Sequence, residues 1–179
     1  MAIAFQMWAE CTTEAACATL VNHFDGVQAT LLSGRRISWK AHQAYLPTGM
    51  IVHSPDLSNR GIRTLQDAVE ATESGVRLYR HLKDGPPFRF ARVAWEAEYV
   101  PLADLGEWVV PCMPGQCRLD VECVMDELLY RNLGSPQFCF PFRDGFWWTR
   151  YRGEKYLPLH SNDQSGLNDL CKSLLSINW

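Results

Sequence analysis

Three groups of residues in this chain are of types and spacings that do chemistry. The first is an aromatic and basic run, Phe138-Cys139-Phe140-Pro141-Phe142-Arg143-Asp144-Gly145-Phe146-Trp147-Trp148-Thr149-Arg150-Tyr151-Arg152. Asp-Gly between two β-prone segments is a strong two-residue hairpin signal, so the run predicts a β-ribbon turning at Asp144-Gly145. Strand alternation then places Phe146, Trp148 and Arg150 on one side of the ribbon and Trp147, Thr149 and Tyr151 on the other. Pro141 has no N–H to give a ladder, which points to an edge strand or a bulge. Trp, Tyr and Arg facing outward on such an edge have the composition of binding hot spots. Trp147, Trp148, Arg150, Tyr151 and Arg152 are therefore the expected interface residues. The same rings could stack on unpaired bases while Arg143, Arg150, Arg152 and Lys155 meet phosphates.

The second group occurs twice. His53-Ser54, Asp56 and Ser58 recur as His160-Ser161, Asp163 and Ser165, each time where a strand is expected to hand over to a helix. Ser and Asp at such joints read first as helix caps, their oxygens accepting the unpaired N–H groups of the first turn. A Ser-His-Asp nucleophile is the competing reading. Residues so close in sequence rarely align as a triad, and no G-x-S-x-G elbow is present. His53 and His160 remain candidate ligand contacts in a groove between the two joints.

The third group is the thiols. Seven cysteines, an odd number, cannot all pair within one chain. The stretch MAIAFQMWAE has no basic region ahead of its apolar residues, so no export signal is read. Free thiols packed as small apolar side chains in a reducing cytoplasm are the expectation. Cys112 and Cys117 have a spacing that a metal tolerates, but no second pair completes a site, and a turn at Pro114-Gly115 explains them more simply. Cys139 with His160, or Asp126 with Glu127, would serve an enzyme, yet nothing beyond residue type links them. No phosphate loop or dinucleotide fingerprint occurs. No catalytic residue, metal or cofactor is assigned.

The elements that must position these groups follow from periodicity. Residues 3–10 alternate as a strand; Thr12, Thr13 and Glu14 then read as a helix start, with Ala16, Leu20, Val21 and Phe24 at helical spacing up to Gly26. Strands are expected at 27–33, 36–46 and 50–53. The longest helical pattern runs over 62–82, weakened by Gly75 and stopped at Gly85-Pro86-Pro87. Residues 88–100 read as a long strand, bulged because its apolar phase changes near Ala91. After a linker at 101–107, a strand at 117–124, a helix at 126–132, the hairpin, a strand at 155–159 and a final helix repeat the order of the first half.

Residues repeat with it: Tyr45-Leu46-Pro47 answers Tyr156-Leu157-Pro158, Gly61-Ile62 and Leu65 answer Gly166-Leu167 and Leu170, and Glu10-Cys11 answers Glu122-Cys123. An internal duplication is expected, with pseudo-repeat halves 1–100 and 108–179 inside one compact unit, 1–179. The fold class that follows is α+β: two layers, a largely antiparallel sheet with helices on one face, each half running strand, helix, three strands, helix.

Composition bounds the function. The 179 residues are 47% hydrophobic and 21% charged, as in folded globular chains. No apolar run approaches the ~20 residues of a membrane span. A net charge of −3 argues against a dedicated binder of duplex nucleic acid. The expected function is that of a non-catalytic, soluble, cytoplasmic binding protein that contacts another protein through the aromatic hairpin, in the manner of an adaptor, inhibitor or immunity factor. The alternatives are a small ligand or single-stranded nucleic acid held in a groove between the halves, and a thiol-dependent enzyme, which would need one cysteine of depressed pKa.

Overall fold

The computed structural model describes residues 4–57, 61–97, 102–113, 116–119 and 121–154. Strand β1 (Phe5–Glu10) lies near the middle of a seven-stranded antiparallel sheet. Its neighbours are β5 (Gly49–His53) and β6 (Phe90–Trp95). Beyond β5 lies the edge strand β4 (Lys40–Gln43). Beyond β6 come β9 (Val124–Asp126), β11 (Phe146–Trp148) and the other edge strand, β10 (Phe140–Arg143). Two small ribbons stand apart: β2 (Gln28–Thr30) with β3 (Arg36–Ser38), and β7 (Val109–Met113) with β8 (Gln116–Leu119). The α+β class and the antiparallel sheet are as the sequence predicts.

Both faces of the sheet are buried. Phe5, Met7 and Ala9 of β1 join the two long helices in one apolar cluster, whereas Trp8 joins a second cluster on the opposite face. This explains a difference in β6. It pairs with β1 without a break from Phe5↔Trp95 to Glu10↔Phe90, so the expected bulge is absent. Phe90 and Ala94 pack on one side, and Ala91, Val93 and Trp95 on the other. Burial of both sides erases the apolar alternation that a half-buried strand shows.

Helix α1 (Glu14–Phe24) begins where Thr13 accepts the Ala16 N–H at 3.1 Å, and it buries Cys17, Leu20 and Phe24 against the sheet. Helix α2 (Leu65–Lys83) starts in a capping box: Thr64 accepts the Asp67 N–H at 3.1 Å, and Asp67 accepts the Thr64 N–H at 2.8 Å. The expected cap from the His-Ser-x-Asp motif is thereby corrected. Asp56 lies well before the helix and accepts from the Ser38 N–H at 2.7 Å and the Ser38 hydroxyl at 3.0 Å, tying its turn to β3. Gly75 does not interrupt α2; a Cβ there would stand 2.8 Å from the Tyr151 ring.

These two long helices share one face, as predicted, while the short α3 (Glu127–Asn132) and a 3-10 segment (Leu102–Trp108) pack on the other. That segment falls where a linker is expected, and its Leu105 is fully buried. A single strand over 117–124 is also not found: β8 stops at Leu119 and β9 starts at Val124 in a different sheet.

The expected duplication is not shown. Strand order does echo itself about β6, with β1, β5 and β4 on one side and β9, β11 and β10 on the other. The matched residues do not follow that echo, because Glu10-Cys11 closes β1 whereas Glu122-Cys123 precedes β9. The strand at 155–159, the final helix and the second motif, His160 included, lie outside the described residues. Among the described residues, no helix is long and apolar enough to cross a membrane.

Candidate functional site: the aromatic hairpin

The hairpin forms where Asp144-Gly145 directs it, with Gly145 at φ +75°, a left-handed conformation that glycine adopts without a side-chain clash. Phe140 pairs with Trp148 and Pro141 with Trp147, and the register shifts between Pro141 and Arg143. Both readings of Pro141 hold: β10 is a sheet edge, and it is bulged.

The two sides of the ribbon have different environments. Trp148 is 3% exposed, with its ring 5.4 Å from Phe142 and 5.9 Å from Tyr79 of α2. On the opposite face Trp147 stacks on Tyr130 of α3 at 4.0 Å and 10° between planes, and its indole N–H donates to the Glu127 carboxylate. The other Glu127 oxygen accepts from Arg131 at 2.8 Å. The Trp147 bond, followed by the Arg131 contact, lowers the pKa of this carboxyl.

Past Trp148 the chain leaves the sheet, and strict alternation fails with it. Tyr151, expected beside Trp147, instead turns toward α2, is 2% exposed, and fills the notch at Gly75. Its hydroxyl donates to Glu154 at 2.8 Å, and the Glu154 N–H donates to Thr72 of α2 at 2.8 Å. Trp148 and Tyr151 are therefore corrected from interface residues to core residues. Trp147 is half-buried, and only Arg150 and Arg152 of the expected five are exposed. The Arg150 guanidinium lies 4.1 Å from the centroid of Phe140, itself 40% exposed on the edge strand. Arg152 stands 3.8 Å from Glu122.

Two residues of α3 that the sequence did not single out accompany the ribbon. Leu128 on α3 is 59% exposed, and Tyr130 supports Trp147 from beneath. Phe140 was legible only as one ring of the ribbon, because alternation does not report which strand of a hairpin lies at the edge. Neither sheet edge invites another strand. Pro141 and the bulge blunt β10, and at β4 the Ala41 N–H is already taken by Asp25 at 3.1 Å.

The remaining candidates are dispersed. Asp126 caps α3 by accepting the Leu129 N–H at 2.8 Å, and Glu127 is engaged by Trp147 and Arg131, so both carboxylates have structural partners. His53 meets His42 edge-on at 5.7 Å, and burial, then His42, lowers its pKa. Burial pushes Cys11 and Cys123 up to about 12 and Cys139 up to about 11, the direction opposite to a reactive thiolate. Cys112 lies on β7 and Cys117 on β8, and the turn expected at Pro114-Gly115 lies outside the described residues. Among the described residues, no group of three or more His, Cys, Asp or Glu is placed to hold a metal ion.

A depression of about 600 Å³ opens between the end of α2 and the hairpin turn, lined by Lys83, Asp84, Gly85, Pro87, Arg143, Asp144 and Phe146. It lies between the first and second halves of the chain, but His53 is not part of it. Arg143 is committed there, donating to the carbonyls of Lys83, Gly85 and Pro86 and covering the Phe146 ring at 4.3 Å. Its cation meets the negative end of the α2 dipole.

No protein-family model matches the chain, and no curated protein or solved structure is detectably similar to it.

Proposed function

We propose that this chain is a non-catalytic, cytoplasmic binding protein that acts by protein–protein contact, as an adaptor, an inhibitor or an immunity-like factor does. The observation that carries the reading is the exposed Phe140–Arg150 pair on the outer edge of the hairpin. An aromatic ring and a guanidinium held together at a surface supply apolar area, directional donors and charge in one place, the makeup of interaction hot spots. The ribbon beneath them is anchored by Trp148 in the core and by Trp147 on α3, so the pair is held in place before any partner arrives. With both edges blunted against strand addition, contact is made by side chains rather than by sheet extension. The four described buried thiols, Cys11, Cys17, Cys123 and Cys139, are unpaired, which suits a reducing compartment.

An affinity pull-down from the native host's lysate, run with the wild type and with Phe140→Ala/Arg150→Ala, tests the reading. The expected result is a stoichiometric partner retained by the wild type and lost from the folded variant. A partner held equally by both would overturn the assignment of this surface.

A further inference from the structure

We propose that residues 167–175 of this chain form a helix that docks along one stripe of α2, between Leu65 and Thr72. The proposal does not depend on the partner-binding reading. Leu65, Ala68, Val69 and Thr72 follow one another at i, i+3, i+4 and i+7, so they line a single side of α2. That side is unevenly covered. Leu65 is 49% exposed at its start, whereas Ala68 and Thr72 are fully buried. Ala68 belongs to neither of the two large apolar clusters. Among the described residues, the apolar side chains packed against it are those of Ile62 and Val69, from its own stretch of chain. A side chain as short as that of alanine is enclosed only where another element rests on the helix.

The course of the chain says which element that is. At Glu154 the backbone N–H donates to the Thr72 hydroxyl at 2.8 Å, which brings the chain to the stripe at its buried end. Residues 155–179 lie outside the described residues and follow directly from this point. The stretch 155–166 reaches up to ~40 Å when extended. Only ~10 Å separates Thr72 from Leu65 along the helix axis. Leu167, Leu170, Cys171, Leu174 and Leu175 then recur at i, i+3, i+4, i+7 and i+8, with Asn168, Asp169, Lys172 and Ser173 between them. So short a helix is marginal alone in water and needs a surface on which to bury its stripe. Leucines facing the small Ala68 and Thr72 let the two helix axes approach closely. A second copy of the chain carries the same leucines, but a short tether holds a segment at an effective concentration in the millimolar range. The chain's own segment therefore outcompetes a neighbour's at ordinary protein concentrations.

The test is hydrogen exchange of the native full chain, read by mass spectrometry over residues 167–175. The wild type should protect these amides about tenfold or more relative to the unfolded chain. In Leu65→Asp/Val69→Asp that protection should fall to the unfolded rate, while peptides from β1 and β5 stay protected. A short bismaleimide added to Leu65→Cys should also join that position to the native Cys171 within one chain, seen as a linked peptide pair from the monomer. Exchange at the unfolded rate in the wild type would overturn the proposal. So would protection that survives the two aspartates, or a link that forms only between two chains. Should the double variant fail to fold, the Leu65→Cys link decides alone, and its absence overturns the proposal.

Discussion

Gly75 lies midway along α2, where glycine costs a helix about 1 kcal/mol relative to alanine. The cost is offset by Tyr151, whose ring occupies the space a Cβ would take, 2.8 Å away. Gly75→Ala should therefore lower stability by about 1–2 kcal/mol in urea denaturation, the clash outweighing the gain in helix propensity. A more stable Gly75→Ala variant would show that Tyr151 is not seated there. Glu154, beside the Tyr151 hydroxyl, has its pKa raised above the ordinary 4.5 by burial. A carboxyl raised in the folded state contributes stability below its unfolded pKa and loses that contribution as pH rises through its folded pKa. Glu154→Gln keeps an acceptor for Tyr151 and removes the titration. Between pH 4.5 and neutrality the variant should become progressively more stable relative to wild type, as read by thermal melts across that range. Neither role was legible beforehand. Gly75 reads as a weak point in a helix, and the partner that explains it sits 76 residues later on a segment that has left its strand.

At the level of elements, legibility depended on whether the signal was local. The Asp144-Gly145 turn and the apolar stripe of α1 are local, and both stand where the sequence places them. The start of α2 was misplaced because Asp56 has the chemistry of a cap but bonds across to Ser38, a contact that sequence distance conceals. The true cap, Thr64 with Asp67, gives a direct prediction. Thr64→Ala should cost about 1 kcal/mol, while Asp56→Ala should leave helix content by circular dichroism unchanged. Equal losses of helix in both variants would contradict this assignment. In β6, burial on both faces removes the alternation from which register is read, and a bulge was inferred where none exists. In the hairpin, alternation holds through Trp148 and fails at Tyr151, because the ladder ends between them.

For the whole molecule, the described sheet is covered on both faces and blunted at both edges, so recognition through it falls to side chains at its rim. Phe140 and Arg150 are exposed at the hairpin's outer edge, and the rigid ribbon behind them joins both apolar clusters. The class of fold was legible because it follows from element types; of the exposed site, Pro141 marked the edge strand and Arg150 was expected outward, whereas the burial of Trp148 and Tyr151 depends on packing against α2, which alternation does not report. The most direct measurement replaces Phe140, and in a parallel sample the exposed Tyr45 at the far edge, with a photo-crosslinking phenylalanine in the native host. Position 140 should capture one discrete partner in stoichiometric yield, and position 45 should not. Capture at position 45 alone, or none at position 140 while the wild-type chain still retains a partner, would contradict the account.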